Sequence, residues 1–234
     1  MALPKLNNFP EYETIIPSTN KTIKYRPFLV KEQKVLLIAM ESQDTKQIIN
    51  AVTNTILACV KDKISINALT TYDVEYLFTQ IRAKAVGEKA TINNNCEKCE
   101  TPNEVSIDLS KVVVNMTEKS SAVIVLSDDI KLTLRHPGYN DISKMDIGLS
   151  NTESMMGLVY ACLDSVQTEE ENIKISDETV EEIETFVDSL SAPQLEKILE
   201  FVKNVPAVTY DIDFDCTNCK EHNHTTLRGL NSFF

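Results

Sequence analysis

Tryptophan is absent from this 234-residue chain, glycine occurs five times and histidine three times. Each shortage removes a class of chemistry. Gly87, Gly138, Gly148, Gly157 and Gly229 lie too far apart to assemble a phosphate-cradling loop, so nucleotide-dependent chemistry is not expected. Two of the three histidines, His222 and His224, share one loop, and His136 precedes a proline and reads as a turn residue. Neither G-x-S-x-G nor H-E-x-x-H is present, and no spacing singles out a catalytic carboxylate pair. No catalytic residue is therefore expected. No apolar run approaches the roughly 18 residues of a membrane helix. The first ten residues lack the apolar core of a signal peptide, so a cytosolic protein is expected.

Positive charge is also scarce. Lys and Arg number 23 against 35 Asp and Glu, a net charge of −12. That balance argues against broad nucleic-acid or anionic-membrane binding. The charge is unevenly spread. Residues 1–40 hold six basic and three acidic side chains, whereas residues 161–215 hold three basic and fifteen acidic ones. The acidic half reads as a solvated face or as a docking surface for a basic partner.

The periodicity changes along the chain. Residues 1–29 read as an extended arm followed by a hairpin, with Tyr12–Ile16 and Thr22–Tyr25 flanking the turn-rich 17–20. Residues 30–88 read as helical. One helix starts at Val30 with Val35, Leu36, Ile38 and Ala39 inward, and a second runs from near Asp44 to Val60. A third starts at Thr70 or Thr71, buries Val74, Leu77, Phe78 and Ile81, and stops at Gly87. Residues 89–136 switch to period two, with Val105, Ile107 and Leu109 on one face and a hairpin at 122–126 and 130–134. Residues 137–206 return to helix, over 152–166, from Asp177 to Leu190 and from Ser191 to Asn204. Residues 207–234 hold a one-sided strand with Tyr210, Ile212 and Phe214, then a tail closing on the β region. The fold class expected is α+β. It has an N-terminal hairpin and helices, a central antiparallel ribbon and C-terminal helices.

Two CxxC pairs, Cys96–Cys99 and Cys216–Cys219, carry the strongest chemical signal. Each follows a strand and precedes another, so two turns can offer four sulfurs to one tetrahedral Zn²⁺. In a reducing compartment such pairs point to metal or redox chemistry rather than to structural disulfides. A redox dithiol competes, although neither pair opens a helix, the setting that lowers a thiol pKa. Cysteines holding no metal are the third reading. His222 or His224 could replace one thiolate, and Lys98 and Lys220 could screen the site's charge. Cys59 and Cys162 lie on apolar helical faces and read as core residues. Asp211, Asp213 and Asp215 imitate the start of a calcium loop, but Cys216 and His222 stand where Gly and Glu are needed.

Several strings carry a resemblance. These are ALPKLN at 2–7, IPST at 16–19, KTIKYRPFLVKE at 21–32, YDVEYLF at 72–78 and IRAKAVG at 81–87, with Cys96 and Cys99 following. Together they resemble the baseplate hub assembly proteins of T4-type contractile-tailed phages, most strongly over residues 1–110. The resemblance implies a non-enzymatic assembly factor or chaperone that binds hub and tail proteins in the host cytoplasm. A permanent structural subunit of the virion tail baseplate is the alternative. A zinc-ribbon nucleic-acid binder is disfavoured by Asp211, Asp213, Asp215 and Glu221 around the second pair. No small-molecule substrate or membrane is implied, and oligomerisation is left open. Leu3, Pro4, Leu6, Phe9 and Pro10 could lie extended on a partner or pack on the chain's own core. The closing Phe233 and Phe234 raise the same choice.

Overall fold

Alternation of apolar and polar residues on either side of Pro17–Asn20 produces the first hairpin. In the computed structural model, which describes residues 9–116, 123–139, 141, 151–229 and 232, β1 (Tyr12–Ile16) pairs antiparallel with β2 (Lys21–Tyr25). Asn20 closes the turn at φ 55°, a left-handed conformation that asparagine tolerates. The arm residues Leu3, Pro4 and Leu6, like Phe233 and Phe234, lie outside the described residues.

Three helices follow. α1 (Val30–Ser42) buries Glu32, Leu36 and Ala39. Val35 and Ile38, expected inward, are instead 50% and 65% exposed. Residues 35–40 of α1 form a continuous apolar run, so periodicity could not tell which of them are covered. α2 (Thr45–Cys59) starts at Asp44, whose carboxylate accepts the Lys46 and Gln47 N–H groups. It buries Val52, Ile56 and Cys59. α3 (Thr71–Val86) buries Val74, Leu77, Phe78 and Ile81 and ends at Gly87. There φ is 137°, which an L side chain would strain.

Two buried carboxylates tie these elements together. Asp73, fully buried in the first turn of α3, accepts from Thr70 N–H (2.9 Å) and the Thr70 hydroxyl (2.7 Å). It also accepts from Ser18 N–H (2.9 Å) and the Ser18 hydroxyl (2.6 Å), which pins the hairpin turn to the helix start. Glu32 accepts from Leu29 N–H and from Arg26 Nη2, each at 2.9 Å. The same Arg26 Nη2 donates to Ala58 O at 2.9 Å. One guanidinium thus joins the end of β2 to the start of α1 and the end of α2.

The chain then enters β3 (Lys89–Asn95) and β4 (Pro102–Asp108), an antiparallel hairpin, and the two-residue β5 (Val113–Val114). Residues 116–206 form a separate compact unit. Its sheet has the order β6 (Val123–Val125), β7 (Lys131–Leu134), β8 (Leu163–Gln167) and β9 (Asn172–Lys174), antiparallel throughout. Ala122, assigned to this hairpin from the sequence, lies outside the described residues. α4 (Asn151–Cys162), α5 (Val180–Asp188) and α6 (Ala192–Lys203) complete the unit. Leu132, Leu134, Leu163 and Val166 from the sheet pack with Val159, Cys162, Val187, Ile198, Phe201 and Val202.

Two expectations fail in this unit. The helix expected over 152–166 stops at Cys162, and Leu163 passes directly into β8. β8 lies between β7 and β9, so pairing on both sides overrides a helical period with no turn residue to interrupt it. α5 begins at Val180 rather than Asp177, because Thr179 and Glu182 exchange capping hydrogen bonds. Asp177 belongs to a short 3-10 turn. Ser191 caps α6 and Asn204 follows its end, as read from the sequence.

The chain returns to its first unit through β10 (Val208–Asp215) and β11 (His222–Arg228), with sheet order β11-β10-β5. Exit and re-entry are adjacent, since Asn115 N–H donates to Ala207 O at 3.1 Å. Ala83, Val105, Ile107, Leu109, Val112, Val208, Ile212 and Leu227 form the core here. The protein is α+β. The first unit comprises residues before 116 and after 206, so the stretch 89–136 read as one β region contributes to both units.

Glu32→Ala is expected to cost about 3 kcal/mol, because it leaves the buried Arg26 guanidinium without its counter-charge. Burial pushes the Glu32 carboxyl up, but Arg26, the Leu29 N–H and Lys31 more than offset this and hold it below the usual carboxylate range. The stability it supplies is full above the unfolded-state pKa and lost as pH falls through the lowered folded value. Denaturant unfolding of wild type and variant from pH 7 to pH 3 should show the two curves converging on acidification.

Candidate metal centre

Both CxxC pairs sit at hairpin turns. Asn95 faces Pro102 where β3 meets β4, and Asp215 faces His222 where β10 meets β11. The two turns repeat each other bond for bond. Cys96 N–H donates to Thr101 O (3.0 Å) and Glu100 N–H to Cys96 O (2.9 Å). Cys216 N–H donates to Glu221 O (2.8 Å) and Lys220 N–H to Cys216 O (3.0 Å). The residue after each second cysteine is left-handed, Glu100 at φ 56° and Lys220 at φ 62°. Each of these non-glycine residues costs about 1–2 kcal/mol, which the turn's hydrogen bonds oppose.

The four sulfurs converge. All lie within 4.8 Å of one another, and Cys96–Cys219 and Cys99–Cys216 are each separated by 3.6 Å. Sulfurs about 2.3 Å from a tetrahedral centre stand roughly 3.8 Å apart, so the cluster has the size one ion requires. No disulfide links them. Cys96 and Cys216 are buried, and Cys99 and Cys219 are half-buried.

Thiolates this close repel one another. The Thr101 hydroxyl, 3.2 Å away, and the Thr101 N–H draw the Cys99 thiol down to about 6. The Cys219 N–H lowers the Cys216 thiol. At Cys219 the Glu221 N–H pulls downward, but burial and the neighbouring sulfurs outweigh it and push the thiol up to about 12. A divalent cation among them removes that conflict. A tetrahedral ion held by Cys96, Cys99, Cys216 and Cys219 would have all four positions taken by sulfur and no open one.

The surrounding side chains differ in part from expectation. Lys98 Nζ donates to Glu221 Oε2 at 2.6 Å and so bridges the two turns, while Lys220 Nζ donates to Thr217 O at 3.1 Å. His222 and His224 do not join the sulfurs. They stand exposed on β11, their Nδ1 atoms 2.9 Å from Asp215 and 2.8 Å from Asp213. Asp211 accepts from the Thr226 hydroxyl at 2.6 Å, so the aspartates line one face of the β10–β11 hairpin and form no calcium loop. His136 stacks on Phe201, with ring centroids 5.6 Å apart. Cys59 and Cys162 are core residues, their thiols pushed by burial to about 11 and about 12.

Two residues escaped the sequence reading. Asn103 Oδ1 accepts from Thr217 N–H (2.8 Å) and the Thr217 hydroxyl (2.9 Å). Asn223 Oδ1 accepts from Glu97 N–H at 2.9 Å. The signal was available, because Cys-x2-Cys-x3-Asn occurs at 96–103 and again at 216–223.

Among known proteins, a family model described as T4 bacteriophage base plate protein matches residues 9–234. No curated protein and no solved structure matches the chain.

Freshly purified reduced protein is expected to carry one equivalent of a thiophilic divalent metal, and Cys216→Ser is expected to abolish it. Its removal by chelation should lower stability by on the order of 4 kcal/mol, the scale for freeing a loop of roughly 100 residues. Affinity should fall on acidification, because protons compete for the thiolates. Elemental analysis with denaturant unfolding checks all three, and metal-free wild type of unchanged stability would contradict them.

Proposed function

The chain belongs to the T4 bacteriophage base plate protein family, and we propose that its role there is non-enzymatic assembly of the tail baseplate by binding hub and tail proteins. The observation that carries this reading is the extent of the match. Residues 9–234, nearly all of the sequence, match the family model.

The surface of α1 supports a binding role. Val30, Val35, Leu37, Ile38 and Met40 are all at least half exposed. The consecutive apolar residues Val35–Met40 surround the C-terminal half of the helix, yet the described residues cover only the side bearing Glu32, Leu36 and Ala39. The exposed residues spread over more than one face, which suits insertion into a groove rather than packing on a single flat helix. Lys31 and Lys34 stand among them in solvent. The partner that fits is a baseplate hub or tail protein with an apolar groove edged by carboxylates.

We assign Zn²⁺ to the four-cysteine centre, since four soft thiolates within 4.8 Å of one another favour it. Closed four-sulfur coordination supports a structural ion rather than a reactive one. Asp211, Asp213 and Asp215 beside the centre oppose a nucleic-acid-binding ribbon. No helix among the described residues is long and apolar enough to cross a membrane. Assembly in the host cytoplasm fits this reading, with the tail baseplate as the site of action.

Leu37→Glu combined with Ile38→Glu is expected to reduce recovery of the hub and tail proteins from infected cells at least tenfold. Melting temperature should be unchanged, because both side chains already face solvent. Quantitative mass spectrometry of the pulled-down proteins reads the effect, and equal recovery would remove α1 as the docking element. Purified mature particles should lack this chain's peptides. Stoichiometric presence would make it a permanent subunit instead.

A further inference from the structure

We propose that Asn103 and Asn223 are the positioning residues of the metal centre, a reciprocal clasp that holds the two cysteine turns together before any ion binds. The inference rests on the reading of the cysteines as a metal site, but its geometry is independent of the ion.

The two asparagines are buried, at 3% and 2% exposure, and occupy equivalent places four residues after the second cysteine of their own turn. Each spends its Nδ2 at home. Asn103 donates to Thr101 O at 2.7 Å, and Asn223 donates to Glu221 O at 2.8 Å. Those carbonyls are the ones that accept from Cys96 N–H and Cys216 N–H, so each amide stiffens its own turn. Each Oδ1 is spent on the other hairpin. It accepts the N–H of the residue that follows the opposite turn's first cysteine, Thr217 for Asn103 and Glu97 for Asn223. Asn103 Nδ2 also lies 3.7 Å from Cys216 Sγ.

This is a two-way link with a pseudo-twofold relation. Each hairpin supplies two sulfurs, one carbonyl platform and one amide, and receives one amide in return. The Glu97 and Thr217 N–H groups are part-buried, and losing their acceptors is unfavourable, so the turns are held in this register wherever the clasp is closed. The same register brings Cys96 and Cys219, and Cys99 and Cys216, to 3.6 Å of each other. Pre-orientation by groups outside the ligand shell commonly changes metal affinity by about 10- to 100-fold.

The experiment uses the full-length chain. Zinc affinity is measured by competition with a chromophoric chelator for wild type, Asn103→Ala and Asn223→Ala. Each variant is expected to bind 10- to 100-fold more weakly, and the two losses should be similar because the roles are equivalent. Hydrogen exchange of metal-free wild type supplies the independent readout. The Glu97 and Thr217 amides should be protected before metal is added, with little further change on addition. Fast exchange of both in the metal-free chain would overturn the clasp whatever the variants do, as would variants with wild-type affinity. Protected amides in a chain that takes up no zinc would sustain the clasp and reject the metal reading.

Discussion

The convergence of four sulfurs from turns 117 residues apart governs the first unit of this protein. Bringing such distant segments together costs chain entropy on folding, and contacts on both sides must offset that cost. Apolar packing supplies one part. Ile107 and Leu109 from the first hairpin region and Val208, Ile212 and Leu227 from the second bury one face of each strand pair. Polar contacts supply the registry that apolar packing lacks. Asn103 and Asn223 cross between hairpins, and Lys98 reaches Glu221 at the exposed rim. The division follows burial. The enclosed bonds are amide to backbone with no net charge, and the charged pair stays in solvent, where desolvation is cheap.

The helical part of the same unit uses a different solution to the same problem. Its elements meet at loop ends rather than along strands, and buried carboxylates join them. Asp73 gathers both donors of Ser18 and both donors of Thr70. Glu32 gathers Arg26 and the α1 start. Every such carboxylate is matched by several donors, which is the condition for a buried charge to be tolerated. Acid weakens the Glu32 junction and, through protonation of thiolates, a metal junction as well. The two halves of the unit therefore share a sensitivity despite having different chemistry.

What could be read in the sequence was local. Gly87 as a helix stop, Thr70 and Ser191 as caps, the first hairpin and the strand–turn–strand setting of each cysteine pair all depend on neighbours within a few residues. The four ligand candidates were legible for the same reason, because CxxC spacing is a turn property. The misses are tertiary. Leu163 leaves a helix for a strand without punctuation because β7 and β9 are waiting on either side. Val35 and Ile38 face outward because nothing among the described residues covers them. Asn103 and Asn223 were overlooked although their spacing repeats, since the repeat does not show which distant N–H donor each side chain meets. His222 and His224 looked like ligand substitutes by proximity in sequence, but strand alternation turns them away from the sulfurs toward Asp215 and Asp213.

The separation of the two cysteine turns also sets a clock. During synthesis the first pair emerges with nothing to complete it, and Cys216 follows Cys99 only 117 residues later. At translation speeds of about 5–20 residues per second, that interval is roughly 6 to 23 s. For that time Cys96 and Cys99 are an open dithiol on a nascent chain, exposed to oxidants and to any passing soft metal. Residues 116–206 have meanwhile left the ribosome and can complete their own core. The order of birth therefore lets the inserted unit finish before the flanking unit has all its parts.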